Sequence, residues 1–190
     1  MLVSWNSYYC YILSSAPQYY SREGVFRMTE SAARSGLYLV FVCTGNICRS
    51  PMAEIIVRDE MEKDMLDLVA TVDSCGLGGW HVGQGADQRA IAELRRGGHD
   101  GGSHRAAKLS AEHMEADLFI AMDKGHREAL LEHGVDSDKI RLMRSFDPNS
   151  PEDADVADPY YGSAADFETT RKNIEAAVPG LLDWIRANRD

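Results

Sequence analysis

A cysteine and an arginine with five residues between them stand in Cys43-Thr44-Gly45-Asn46-Ile47-Cys48-Arg49-Ser50-Pro51. A thiolate is a strong nucleophile, and a guanidinium offers parallel donors that match two oxygens of a tetrahedral oxyanion. The residues between them suffice for a loop whose backbone N–H groups turn inward as a nest for that anion. A helix starting beneath the loop would add its own unpaired N–H groups. The positive field of such a nest favours the thiolate of Cys43, which is expected exposed at the mouth of the loop. Gly45 is expected to permit a turn that a side chain would block. Ser50 is placed to cap the helix and to donate to the Cys43 sulfur. On this composition roughly 0.03 matches to Cys-x5-Arg-[Ser/Thr] arise by chance. A buried structural cysteine beside a surface arginine is the alternative, and the strand-to-helix context weighs against it.

A second cluster is Asp158-Pro159-Tyr160-Tyr161-Gly162. A thiolate that attacks a phosphate monoester expels an alkoxide or phenoxide, and a nearby carboxylic acid can protonate it. Pro159 restricts the backbone of Asp158 to extended geometry. The two tyrosines could wall a pocket for a flat leaving group. On spacing alone, Asp158 is equally well read as one more acid in an acidic surface loop.

These clusters need elements to position them. Residues 37–43, LYLVFVC, form a continuous apolar run suited to a strand buried on both faces. A helix is expected over 50–68, with Ser50 as N-cap and Pro51 in the first helical position. Strands follow at 69–74, 116–122 and 140–143. Helices are expected over 87–96, ended by Gly97-Gly98, and over 124–133, closed by Gly134. An acidic stretch over 147–168 carries no lysine or arginine, and a last helix over 166–188 is expected to kink at Pro179. The alternation predicts an α/β domain of Rossmann-like type, with a four-stranded parallel sheet and helices on both faces. In such folds ligands sit beyond the C-terminal ends of the strands, where Cys43 stands.

Composition excludes several other chemistries. The 190-residue chain has a net charge of -10, which argues against nucleic acid and anionic membrane surfaces as partners. No apolar run is long enough for a membrane span. The four cysteines form no CxxC pair, and no HExxH occurs, so no structural metal is expected. There is no GxxxxGK[ST], and His81 breaks GxGxxG after Gly76 and Gly78, so no nucleotide cofactor is expected. The first 27 residues hold five of the eight tyrosines and no signal-peptide pattern. Residues 1–30 are expected to be an unstructured extension and 31–190 a single cytoplasmic domain.

The stretch 37–186 resembles the low-molecular-weight protein tyrosine phosphatase family. The resemblance rests on VCTGNICRSPMAE (42–54), DS (73–74), WHVG (80–83), SHRA (103–106), DPYYG (158–162) and DFE (166–168). It implies a phosphotyrosine protein phosphatase I fold and hydrolysis of phosphotyrosine through a cysteinyl-phosphate, without cofactor or metal. It implies Cys43 as nucleophile, Arg49 as phosphate clamp and Asp158 as general acid. Thr44, Gly45, Asn46, Ile47, Cys48 and Ser50 would form the phosphate loop. Asn46, Ser50, Ser74 and His104 match its supporting hydrogen-bond network, and Trp80, Tyr160 and Tyr161 match pocket walls. Cys48 matches a second loop cysteine able to pair with the nucleophile. The implied partners are tyrosine-phosphorylated proteins and inorganic phosphate or other oxyanions, bound by a monomer or weak homodimer. Cys75 departs from the usual alanine, and the first 36 residues have no family counterpart. An arsenate reductase would need relay cysteines beyond Cys75, and the phosphoarginine branch carries threonine where Ile47 stands.

Overall fold

The computed structural model describes residues 36–189. The expected extension over 1–30 lies outside the described residues. β1 (Leu37–Cys43) leads into α1 (Arg49–Lys63), followed by β2 (Ala70–Gly76) and α2 (Gln88–Arg96). Then come β3 (Leu118–Ala121), α3 (Lys124–Glu132), β4 (Ile140–Leu142) and α4 (Ala164–Asn188). The strands form one parallel sheet in the order β2-β1-β3-β4.

β1 lies inside the sheet, which is why its sequence is apolar throughout. Leu39, Phe41 and Cys43 join the larger core cluster with α1, α2 and α4, and Val40 and Val42 join the second cluster with Leu130 of α3. Leu39, Val40, Phe41 and Val42 are wholly buried. Each such side chain contributes about 1.5–3 kcal/mol on burial, so the strand that carries Cys43 is a rigid platform. The chain leaves β1 toward β2 on one side and returns to β3 on the other. The crevice at the C-terminal end of β1 is therefore the topological switch point of the sheet.

The local differences from the sequence reading have physical causes. α1 begins at Arg49, not Ser50, and Pro51 is its third residue; Cys48 occupies the N-cap without a side-chain cap. Ser50 makes no cap because its hydroxyl is engaged on Cys43 and Asn46. α1 ends at Lys63 rather than running to 68. Met65 takes a left-handed conformation (φ 55°), which turns Leu66 back into the core. β2 runs two residues past the expected end, to Gly76, because Cys75 and Gly76 pair with Val42 and Cys43. α4 begins two residues early, where the Asp166 carboxylate accepts from Ser163 N–H at 2.6 Å. Pro179 lies within it; beside it, a Cβ at Gly180 would sit 2.1 Å from the Phe146 carbonyl oxygen.

The acidic stretch after β4 is tied back to the sheet end. Val156 N–H donates to Met122 O at 2.8 Å, and Val156 is wholly buried. Lacking cations of its own, the stretch draws them from α3, through Lys124 to Asp155 and Arg127 to Asp153. Among the described residues no helix is long and apolar enough to cross a membrane.

Candidate active site

Cys43 ends β1, and the chain curls over it. The Asn46 backbone N–H donates to Cys43 Sγ at 3.2 Å, and Ser50 Oγ lies 3.0 Å from the same sulfur. Cys43 is 3% exposed, so it forms the floor of the loop rather than its mouth. Turning the chain back that tightly puts Asn46 in the left-handed region (φ 56°), which asparagine tolerates better than most residues. Gly45, by contrast, is not at positive φ. A Cβ there would sit 3.1 Å from the His81 ring, so a side chain would crowd His81.

The Asn46 side chain organises the rest. Its Oδ1 accepts from Ala107 N–H at 2.7 Å, which fixes the amide orientation. Both Nδ2 hydrogens are then spent on Ser50 Oγ (2.9 Å) and Ser74 Oγ (2.8 Å). Each serine already accepts, so its own proton is free to point onward. Ser74 donates to the buried Glu54 carboxylate. Ser50 is left aimed at the Cys43 sulfur, with only Cys75 O at 3.4 Å as a competitor. His104 Nε2 meets Asn46 O at 2.8 Å. All four residues expected in this network are therefore in it. Glu54, which terminates it against Arg58, carried no sequence signal beyond its place in the family segment.

Arg49 is 4% exposed, and both of its Nη groups have two partners each. Its Nη1 donates to Asp123 Oδ2 (2.7 Å) and Val156 O (3.3 Å), and its Nη2 to Asp158 Oδ2 (2.8 Å) and Thr44 Oγ1 (3.3 Å). Burial alone would push the Asp123 carboxyl up. Hydrogen bonding from His126 and from Arg49 outweighs it and holds the group well below the usual carboxylate range. Asp158 lines the cleft over Cys43. Its side chain is 48% exposed, so it faces the cleft from one side and Arg49 from the other.

The cleft over Cys43 has a volume of ≈ 300 Å³ and includes Ile47, Trp80, His81, Tyr160 and Tyr161 in its lining. Trp80 and Tyr161 stand out into solvent as rims, 74% and 97% exposed. Tyr160 and Tyr161 meet edge-to-face at 4.8 Å. The loop that carries them is strapped down by Arg89, which donates to Tyr160 O (2.9 Å) and Gly162 O (3.2 Å) while paired with Asp87. Asp87 N–H in turn donates to Ile47 O at 2.8 Å, linking the acid loop to the phosphate loop. Burial, with Asp87 adding, pushes the Cys48 thiol up to about 12.

The family model described as "Low molecular weight phosphotyrosine protein phosphatase" matches residues 38–190. This chain belongs to the low molecular weight phosphotyrosine protein phosphatase family. Low molecular weight protein-tyrosine phosphatase A of Mycobacterium tuberculosis is 48% identical over 150 residues, covering 78% of this chain and 91% of the relative. The crystal structure of YfkJ from Bacillus subtilis superposes with a TM-score of 0.75 at 33% identity, covering 82% of this chain and 98% of that one. A YwlE arginine phosphatase mutant with a phosphorylated active site serine superposes with a TM-score of 0.72 at 30% identity, covering 80% and 98%.

Within the phosphatase fold, every expected site residue converges on one end of β1 or on the network behind it. Sequence reasoning missed Gly76, Asp123, His126 and Arg89. A Cβ at Gly76 would press at 3.0–3.1 Å on the backbone of residues 44–46, so that glycine lets β2 abut the loop. The others lie far from the loop in sequence, and only the fold brings them to it. Among the described residues no group of His, Cys, Asp or Glu side chains could hold a metal ion.

Proposed function

We propose that this chain hydrolyses phosphotyrosine in proteins, with Cys43 as nucleophile, Arg49 as clamp and Asp158 as proton donor. The observation that carries this reading is the opposition of the Cys43 sulfur, on the cleft floor, to the Asp158 carboxylate, tethered across the cleft on Arg49. The phosphoryl oxygens sit in the loop, against its inward N–H groups and Arg49. The thiolate attacks phosphorus in line. The S–P bond forms as the P–O bond to tyrosine breaks, and Asp158 gives its proton to the departing phenolic oxygen. Water then attacks the phosphocysteine with Asp158 as base, releasing phosphate and restoring the thiolate, which the Ser50 hydroxyl stabilises. Ile47, Trp80 and Tyr160 line the cleft with apolar and aromatic surface suited to a tyrosine ring.

Three substrates assayed side by side test the reading. A phosphotyrosine peptide should be turned over, with phosphoarginine and arsenate far behind. Ile47 supports the ring over the guanidinium. Arsenate reduction would need a relay cysteine, and the buried Cys75, whose thiol burial pushes up further than that of Cys48, is a poor one. Phosphoarginine turned over as fast as phosphotyrosine would overturn the assignment of substrate.

Oxidation gives a separate prediction. Mild peroxide should convert Cys43 to sulfenic acid, and Cys48 should then resolve it as a disulfide that a thiol reductant reverses. Cys48 must ionise to attack. With its thiol pushed up to about 12, it is almost wholly protonated at neutral pH. Formation of the linkage from the sulfenic acid should accelerate about tenfold per pH unit over the neutral range. Mass spectrometry of samples quenched at pH 6, 7 and 8 reads this directly. A pH-independent rate, or a Cys48→Ser enzyme that recovers equally well, would count against Cys48.

A further inference from the structure

His126 takes no part in the reaction just described, yet it is 4% exposed and packed behind the phosphate loop. It lies in the first turn of α3, whose N-cap is Asp123, and its backbone N–H donates to Asp123 Oδ1 at 2.8 Å. Its ring faces two side chains. Nε2 lies 2.9 Å from Thr44 Oγ1. Nδ1 lies 2.9 Å from Asp123 Oδ1, at an angle that leaves it without a hydrogen bond. These are the same two side chains that hold opposite ends of the Arg49 guanidinium, Asp123 on Nη1 and Thr44 on Nη2. Arg49, Asp123, His126 and Thr44 thus form a closed ring, in which His126 meets Asp123 through its backbone N–H and Thr44 through its imidazole.

The proton positions around that ring are constrained. The Asp123 carboxylate oxygen 2.9 Å away favours a hydrogen on Nδ1 by its charge, although the two are not aligned for a hydrogen bond. In the neutral imidazole Nε2 is then an acceptor and takes the Thr44 hydroxyl proton. This turns a lone pair of Thr44 Oγ1 toward Arg49. The third side-chain partner of the guanidinium is Asp158, which is half-exposed and sits on a different loop. An entering phosphate dianion competes with Asp158 for Nη2. Once that carboxylate lets go, Thr44 is the protein contact left on Nη2, and a free hydroxyl rotor would hold it poorly. His126 removes that freedom.

We infer that His126 is a positioning residue for Arg49: by bridging Asp123 and Thr44 it holds the guanidinium plane in the orientation that receives the phosphoryl group. The inference rests on the reading of Arg49 as the phosphate clamp. Pre-organisation of this kind raises affinity by reducing what must be ordered on binding.

The test uses the full chain with inorganic phosphate as the probe, its binding measured by calorimetry, and nitrogen NMR of the Arg49 Nη groups. His126→Ala should weaken phosphate binding about tenfold, equivalent to about 1.4 kcal/mol. It should also merge Nη signals that restricted rotation keeps apart in the wild type. His126→Gln, whose amide reaches Thr44, should recover part of both. Thr44→Val opens the ring from the loop side without touching α3, so it serves even if His126→Ala folds poorly. Because both substitutions break one ring, their losses should be strongly sub-additive in the double variant. Folded variants with wild-type phosphate affinity and unchanged Nη signals would overturn the inference, as would fully additive losses. A lowered melting temperature with phosphate affinity intact would also overturn it, by making His126 merely structural. Wild-type protein that turns over phosphotyrosine while the variants are unaffected refutes this inference alone. Wild-type protein that neither binds phosphate nor turns over phosphotyrosine refutes the clamp reading as well.

Discussion

Serine in place of Cys43 is expected to abolish turnover of phosphotyrosine and of activated aryl phosphates alike, a loss on the order of 10⁴–10⁶-fold. The donors around the position explain why. Asn46 N–H and the Ser50 hydroxyl both lie against the sulfur, at 3.2 and 3.0 Å. A serine hydroxyl at neutral pH is un-ionised, and among the described residues the hydrogen-bond partners at this position, Asn46 N–H and the Ser50 hydroxyl, include no base. The fold should survive, because the substitution is nearly isosteric and the Asn46 network does not depend on the sulfur's charge. Phosphate should bind at least as tightly as to the wild type, since a neutral hydroxyl does not repel a dianion as a thiolate does. Stopped assays with both substrates, alongside calorimetric titration with phosphate, check the two halves together. Residual turnover within a hundredfold of wild type would mean that another group attacks phosphorus.

How much of this was legible in the sequence depends on the distance over which each interaction acts. β1 announced itself because a strand buried on both faces has no polar positions. The phosphate loop was readable because its chemistry is local: nucleophile, turn, clamp and helix start are packed into nine residues. Element ends were less readable, because they are set by tertiary contact. α1 stops at Lys63 so that Leu66 can be buried, and β2 extends to Gly76 because β1 offers it partners. The reason for Gly45 was misread for the same cause: the ring it accommodates belongs to His81, 36 positions away. Asp123 and His126 were invisible as site residues. An aspartate at a helix N-cap and a histidine in the first turn are ordinary features until the switch point of the sheet brings them against Arg49. Asp158 lies between these cases. Its motif was readable, but only its 2.8 Å contact with Arg49 separates it from the acids around it.

That contact also sets the expected behaviour of Asp158→Asn. The phenol of tyrosine has a pKa of about 10, so its departure as bare phenoxide is costly at neutral pH. A general acid typically contributes on the order of 10²–10⁴ in rate. The substitution should therefore slow the formation of phospho-Cys43 from a phosphotyrosine peptide by about that factor. An aryl phosphate with a much more acidic phenol needs less proton help, so its loss in the same step should be smaller. Overall turnover can hide the contrast if hydrolysis of phosphocysteine is limiting, and the burst phase should be compared instead. Phosphate affinity supplies a second, opposite-signed readout. In the free protein the Asp158 carboxylate occupies Nη2 of Arg49 and places a negative charge beside the phosphate site. An amide competes less for the guanidinium and does not repel the dianion, so inorganic phosphate should bind Asp158→Asn more tightly than wild type. A merely structural role would slow both substrates equally and loosen phosphate along with them. Slower bursts that depend on the leaving group, together with tighter phosphate binding, are expected only if Asp158 both delivers the proton and stands in competition with the phosphoryl group for Arg49.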